Sequence, residues 1–202
     1  VAIVAGALRR FLRERHPDSE LRDLRVMVPV NVRGGGEQHR LGNHVSAWLM
    51  MLPVHEADVL RRYAAVRAAT EALKGSRQHL GGQLVTSAGS TLFSLGLRAV
   101  ERLRPYNLLV TNVPGPREAL YLLGARLRCV YAEAPLFPGQ GVGIALFSYA
   151  GTLSLGIHAD CHVVPDTERL VDAVHTAFDE LLTLAGQDRV GTCSPWARGA
   201  VA

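Results

Sequence analysis

With 202 residues, of which 48% are hydrophobic, 20% charged and 6% aromatic, the chain has the composition of an ordinary globular domain, and collagen-like, disulfide-scaffold and wholly disordered classes are excluded. A chain of this length buries about 70% of its extended surface on folding, so a sizeable core is available. The net charge of +4 is mild, and its uneven spread lacks the stacking aromatics of a nucleic-acid binder, so no nucleic-acid partner is expected.

The chain opens at Val1 inside the apolar string VAIVAGAL and is expected to be a piece of something longer, entered part-way through a helix. Val4, Ala7, Leu8, Phe11 and Leu12 recur at helical spacing until Pro17. In LRVMVPVNVR, Leu24, Val26, Val28, Val30 and Val32 alternate as in a strand, and Pro29, which has no donor for a ladder, predicts an edge or a bulge. HVSAWLMMLPV is apolar on both faces, the pattern of a strand covered on both sides. Ala57 to Lys74 reads as a helix presenting Val59, Tyr63, Val66, Thr70 and Leu73 to one side, with Gly75 as its cap.

Residues 79 to 104 form a weaker helical region. Its glycines at 81, 82, 89 and 96 each cost about 1 kcal/mol relative to alanine in a helix interior and suggest close packing against a backbone or a tunnel wall. YNLLVTN is a strand ended by VPGP, and ALYLLGARLRCVYAE continues extended around Gly124. GVGIALFSY and TLSLGIHAD flank Ala150 and Gly151 as a hairpin. Pro165 to Leu184 closes the fold as an amphipathic helix whose stripe is Leu170, Val174, Ala177, Phe178 and Leu181. Residues 186 to 202 have no periodicity and are expected to be a disordered tail. Strands alternating with helices, joined in part by hairpins, define an α/β class: a mixed sheet with packed helices, one two-layer domain.

Candidate chemistry is sparse. Cys129, Cys161 and Cys193 have no CxxC spacing, so neither a disulfide framework nor a zinc site is suggested, and a reducing compartment is expected. His162 stands four residues before Asp166, a spacing that would let a carboxylate orient an imidazole, but the simpler role of Asp166 is to cap the last helix. His158, Asp160 and His162 would share one face of a strand; with no further ligand identifiable, a solvated face is the simpler reading and no metal is expected. Ser87, Ser90 and Ser94 lie outside any GxSxG string, and GQGVG lacks phosphate-loop spacing. No catalytic residue is assigned.

TNVPGP is different in kind. Asn112 can satisfy local backbone groups, Pro114 fixes φ, Gly115 allows positive φ, and Pro116 removes a strand donor. Such a loop either ends a strand or holds a substrate path. Asn31, Arg33 and Asn43 form a second polar cluster, in which an arginine suits a phosphate or a carboxylate. The candidate substrate-binding set is therefore Arg33, Asn43, Asn112, Pro114 and Gly115.

MVPVNVR, LGNHVSAWLMMLPV, NLLVTNVPGP, LYLLGARL, PLFPGQGVGIALFSYAG and HADCHVVPD, in this order, resemble the C-terminal half of the bacterial wax ester synthase/acyl-CoA:diacylglycerol acyltransferase family over about residues 1 to 185. The resemblance implies one half of a chloramphenicol-acetyltransferase-like fold, similar to nonribosomal-peptide condensation domains, in which two halves enclose a tunnel. It also implies that an HHxxxDG motif in the N-terminal half supplies the general base. The second histidine of that motif takes the hydroxyl proton of an alcohol or diacylglycerol, the oxygen attacks the acyl-CoA thioester, and CoA leaves.

HHxxxDG is absent from this sequence. CHVVPDT imitates its spacing with Cys161 and Thr167 at the wrong ends. What the resemblance carries over is the run 112 to 116 with Arg33 and Asn43, as tunnel-side or structural positions. It implies no cofactor, with acyl-CoA as co-substrate. The partners it implies are a missing N-terminal half, acyl-CoA, and diacylglycerol or a fatty alcohol. The location it implies is cytoplasmic, at the inner membrane face or lipid droplets. The alternative is a non-catalytic acyl-chain-binding or scaffold domain of the same fold.

Overall fold

The computed structural model describes residues 1–31, 45–75 and 106–186. The weak helical region, the serines, Arg33, Asn43 and the expected tail from residue 187 onward lie outside the described residues. Helix α1 (Ala2–Arg15) leads into β1 (Leu24–Asn31), β2 (Val45–Leu52) and α2 (Val59–Gly75). After these come β3 (Leu108–Pro114), the short strands β4 (Tyr121–Leu122) and β5 (Ala125–Arg126), then β6 (Val142–Tyr149), β7 (Thr152–Ala159) and α3 (Thr167–Leu184).

Five strands form one mixed sheet in the order β2-β1-β3-β6-β7, and β4 with β5 makes a separate two-stranded ribbon. The pairs β1/β3 and β3/β6 are parallel; β1/β2 and β6/β7 are antiparallel. The β6/β7 turn has φ of +44° at Ala150 and +82° at Gly151, the left-handed pair that the right-handed twist of a two-residue hairpin requires.

One face of the sheet is covered by helices. Val4, Leu8 and Phe11 of α1 and Leu170 and Val174 of α3 pack with Val26, Leu52, Val110 and Ile144 of the strands into the main core. Between the helices, Arg62 of α2 is only 5% exposed. Its guanidinium donates to the carbonyls of Glu56 (2.8 Å) and Ala57 (3.2 Å) and approaches Glu180 of α3 at 3.8 Å, while Arg10 of α1 meets the same carboxylate at 2.6 Å. Three helices thus share one carboxylate. Burial pulls the Arg62 pKa below its ordinary value and Glu180 pulls it back up.

The opposite face carries a smaller cluster of Leu109, Ala134 and Ala145, with Met27, Ala132 and Phe137 packed on it. The chain at 132 to 137 lies directly on the sheet there because Gly143 and Gly156 have no side chain. A Cβ on Gly143 would stand 3.0 Å from the Ala134 carbonyl oxygen, and one on Gly156 would overlap that of Ala132.

Four expectations change. Strand β1 is interior, yet its ladder with β3 is formed only at Val26 and Met27, so the donor that Pro29 lacks falls beyond that ladder. Strand β2 is an edge strand with one buried face: Met50 and Leu52 point into the core, while Leu49 and Met51 are exposed, because the helices cover one face only. On α2 the inward stripe runs through Arg62, Val66, Ala69 and Leu73, and Tyr63 is exposed. Cys129 is disulfide-bonded, which the wide cysteine spacing did not suggest, whereas Cys161 is free and exposed.

Candidate functional site

The parallel alignment of β1, β3 and β6 brings their C-terminal ends to one end of the sheet. There the NVPGP run leaves β3 with Pro114 in register with Ser148 of β6. Asn112, Val113 and Pro114 are exposed. The Gly115 amide donates to the Ser148 carbonyl at 2.9 Å and lies 3.3 Å from the Ser148 hydroxyl. Gly115 is not in the left-handed region, contrary to expectation. It is required for a different reason: any Cβ would collide with the Ser148 carbonyl oxygen and sit 2.5 Å from the Phe147 ring. The Ala150 amide then donates to the Pro116 carbonyl at 3.0 Å, closing a braced loop.

Beyond the loop, the β4/β5 ribbon projects from the same end. Its base is held by the buried Tyr149, whose hydroxyl accepts from the Leu120 amide at 2.7 Å and donates to the Leu127 carbonyl at 3.0 Å. Its tip is apolar and open: Leu122 is 76% and Leu123 100% exposed, and Leu123 has a φ of +50°. A leucine in the left-handed region with no packing around it is strained without local compensation. Arg117, Arg126 and Arg128 flank the ribbon and are exposed.

Of the candidate set, Asn112, Pro114 and Gly115 are thus brought together by strand ends, while Arg33 and Asn43 lie outside the described residues. Ser148 and Tyr149 are the residues sequence reasoning missed. Their signal is positional, since both close the strand that pairs with β3 just before the Ala150–Gly151 turn.

The titratable candidates are elsewhere. Strand β7 runs antiparallel to β6, so His158, Asp160 and His162 lie at the other end of the sheet, where the chain leaves β7 for α3. The His162–Asp166 pairing that the spacing would allow does not form: the His162 ring nitrogen Nδ1 faces Asp160 at 3.2 Å. Asp166 stands at the N-cap position of α3 without a side-chain cap hydrogen bond, and its carboxylate faces Arg15 at 3.6 Å. The His162 amide, then its ring, hold the Asp160 carboxyl below the usual carboxylate range. At this same end His55 hydrogen-bonds Asp23 through Nδ1. The crevice among α1, α2 and α3, lined by Gly6, Val59, Arg62 and Ala177, leaves no room for a ligand.

The fold is a mixed α/β one, a five-stranded sheet with helices on one face and a braced loop at one end. The model of the WS/DGAT C-terminal domain family matches residues 41–182, and the chain belongs to that family. Among curated relatives, a candidate diacylglycerol O-acyltransferase of Mycobacterium tuberculosis is 34% identical over 203 residues, covering 95% of this chain and 40% of the relative. The O-acyltransferase WSD of Acinetobacter baylyi is 28% identical over 176 residues, covering 85% of this chain and 38% of the relative. The chain therefore spans about 40% of the length of the curated relatives it matches.

Among solved structures, the wax ester synthase/diacylglycerol acyltransferase of Marinobacter aquaeolei is similar with a TM-score of 0.63 at 22% identity, covering 92% of this chain and 42% of that one. The first condensation domain of the CDA synthetase follows at 0.53 and 16%, covering 88% of this chain and 39% of that one. These two likenesses bear on the fold, which they place with the acyltransferase and condensation domains. No described helix is long and apolar enough to cross a membrane.

Proposed function

We propose that this chain is the C-terminal domain of an O-acyltransferase that moves a long-chain acyl group from acyl-CoA to diacylglycerol or a fatty alcohol. The family match over residues 41–182 carries the reading, and the acyltransferase names of the relatives support the reaction class. Acyl-CoA is the co-substrate, and no resident cofactor is needed. Arg33, Asn43, Asn112, Pro114 and Gly115 contribute to the wall of the substrate path, with the arginine suited to a phosphate of the CoA moiety. The general base is a histidine of an HHxxxDG motif on a further N-terminal half, corresponding to the part of the longer relatives that this chain does not span. The working place is peripheral, at an inner membrane face or lipid droplet.

The test is CoA release from a long-chain acyl-CoA in the presence of diacylglycerol or a fatty alcohol. The chain alone is expected to be silent. Co-expression with an HHxxxDG-bearing half is expected to give turnover that replacement of the second histidine by alanine abolishes. Transfer by the chain alone would overturn the division of labour. Acyl-chain binding with no turnover in any combination would favour the scaffold reading instead.

A further inference from the structure

At the end of the sheet remote from NVPGP, three consecutive side chains offer three kinds of donor atom: a carboxylate oxygen from Asp160, a thiol sulfur from Cys161 and an imidazole nitrogen from His162. The three donor atoms lie within 4.8 Å of one another. Asp160 Oδ1 is 3.2 Å from His162 Nδ1, and Cys161 Sγ is 3.7 Å from the same nitrogen. Zinc bonds of about 2.0 Å to nitrogen, 2.1 Å to oxygen and 2.3 Å to sulfur give tetrahedral edges of about 3.3 Å for oxygen to nitrogen and about 3.5 Å for sulfur to nitrogen. Two of the three edges are therefore already at coordination length.

The backbone holds this arrangement. The Asp160 amide donates to Gly141 at 3.0 Å, and the amides of Val163 and Val164 both donate to the Asp160 carbonyl, at 3.0 and 2.8 Å. The His162 amide donates to Asp160 Oδ1 at 2.9 Å. With the His162 side chain 91% exposed, the open side of the cluster is free for water as a fourth ligand.

We propose that Asp160, Cys161 and His162 form a site for a borderline-soft divalent cation, with zinc the best fit. A mixed oxygen, nitrogen and sulfur set suits zinc and the later transition metals, and excludes calcium and magnesium, which take oxygen ligands. Binding releases the thiol proton and displaces the hydrogen bond between His162 and Asp160, so the ion takes over from that bond within the turn that joins β7 to α3. Sequence spacing groups His158, Asp160 and His162, for which no metal is expected; in the fold β7 ends at Ala159, and the donor atoms that converge are those of Asp160, Cys161 and His162, with His158 outside the cluster.

The experiment is titration of the metal-free chain, with the Cys129 disulfide intact and Cys161 free, with Co²⁺ as an optical probe, followed by competition with Zn²⁺. One equivalent of Co²⁺ is expected to bring up a thiolate-to-metal charge-transfer band that Zn²⁺ bleaches. Cys161→Ser is expected to abolish the band, and His162→Ala to weaken binding at least tenfold. Both side chains are exposed, and far-ultraviolet circular dichroism verifies that each variant folds. The absence of a band in the wild-type chain, or a band of equal strength in Cys161→Ser, would overturn the site. So would an unchanged affinity in His162→Ala.

Discussion

The two ends of the five-stranded sheet are built on different principles. At the NVPGP end, backbone bonds to backbone and one buried tyrosine fixes a ribbon, so the exposed side chains there are free of structural duty. At the other end, side-chain bonds are added to the backbone ones: Asp160 bonds His162, Asp23 bonds His55, and Arg9 donates to the carbonyls of Val54 (2.9 Å) and His55 (2.7 Å). Strand β6 has eight residues, so the ends are about 25 Å apart at roughly 3.3 Å per residue. A general base must come within about 3 Å of the proton it takes. None of His55, His158 and His162 can therefore serve as the base for a substrate held at NVPGP.

The sharpest way to break this contrast is to put one methyl group into the backbone-braced end. Gly115→Ala is expected to cost about 2–3 kcal/mol, because the new Cβ meets a carbonyl oxygen of a paired strand as well as the Phe147 ring, and only the ring can move. In thermal denaturation that corresponds to a fall of about 5–10 °C for a domain of this size. An unchanged Tm would mean that the loop is not held by close approach.

Tyr149→Phe comes next. It deletes the hydroxyl that joins Leu120 to Leu127 and leaves both backbone groups to find water, an expected loss of about 1–2 kcal/mol. The diagnostic readout is local: amide exchange at Leu120 should speed up while that of β6 changes by no more than the global stability does. Uniform acceleration would show that the ribbon and the sheet open together.

What could be read from the sequence follows the same division. Alternation in β1, an apolar run in β2, turn residues around β3, β6 and β7, and helical spacing mark every described strand of four or more residues and all three described helices, because buried stripes and turns are written in residue type. The edge or interior position of a strand is not so written. Pro29 looks like an edge signal, but it is tolerated in an interior strand whose second ladder is only two residues long and ends before it. Arg62 was passed over in favour of Tyr63 because a buried arginine is visible only once its carbonyl and carboxylate partners are placed by folding. The NVPGP loop was recognisable as rigid, yet the reason for Gly115 lies in Ser148, more than thirty residues later. The displacement of the histidines to the far end follows from β7 running antiparallel, a topological fact no local motif contains.

A gain is expected at the ribbon tip. Leu123 sits at a φ of +50° with no neighbours, followed by Gly124 at +83°, a turn for which Asn-Gly is the favoured pair. Leu123→Asn should stabilise the chain by about 0.5–1 kcal/mol through relief of strain, and should reduce self-association by removing a fully exposed leucine. A loss of stability would mean that the leucine packs in solution, in which case the open end is covered.

The smallest effect belongs to the side-chain mode of holding at its most exposed. On α2, Arg67 and Glu71 pair at 2.9 Å with both side chains largely in water. The hydrogen bond from Arg67 and its charge depress the Glu71 pKa. A depressed folded value means that the pair's contribution is complete above the ordinary glutamate pKa of about 4.3 and fades as pH falls below it. Glu71→Gln should therefore leave the melting curve unchanged at acid pH. Near neutrality it should lower Tm only at low salt, by less than a melt resolves in 0.15 M salt, where charges about 8 Å apart are screened. A salt-independent drop comparable to that of Tyr149→Phe would show that an exposed ion pair on this helix does structural work of the kind we assign to Glu180, whose carboxylate is shared by Arg10 and the buried Arg62. The difference between those two carboxylates is burial of the partner: Arg62 cannot turn to water when Glu180 is lost, whereas Arg67 can.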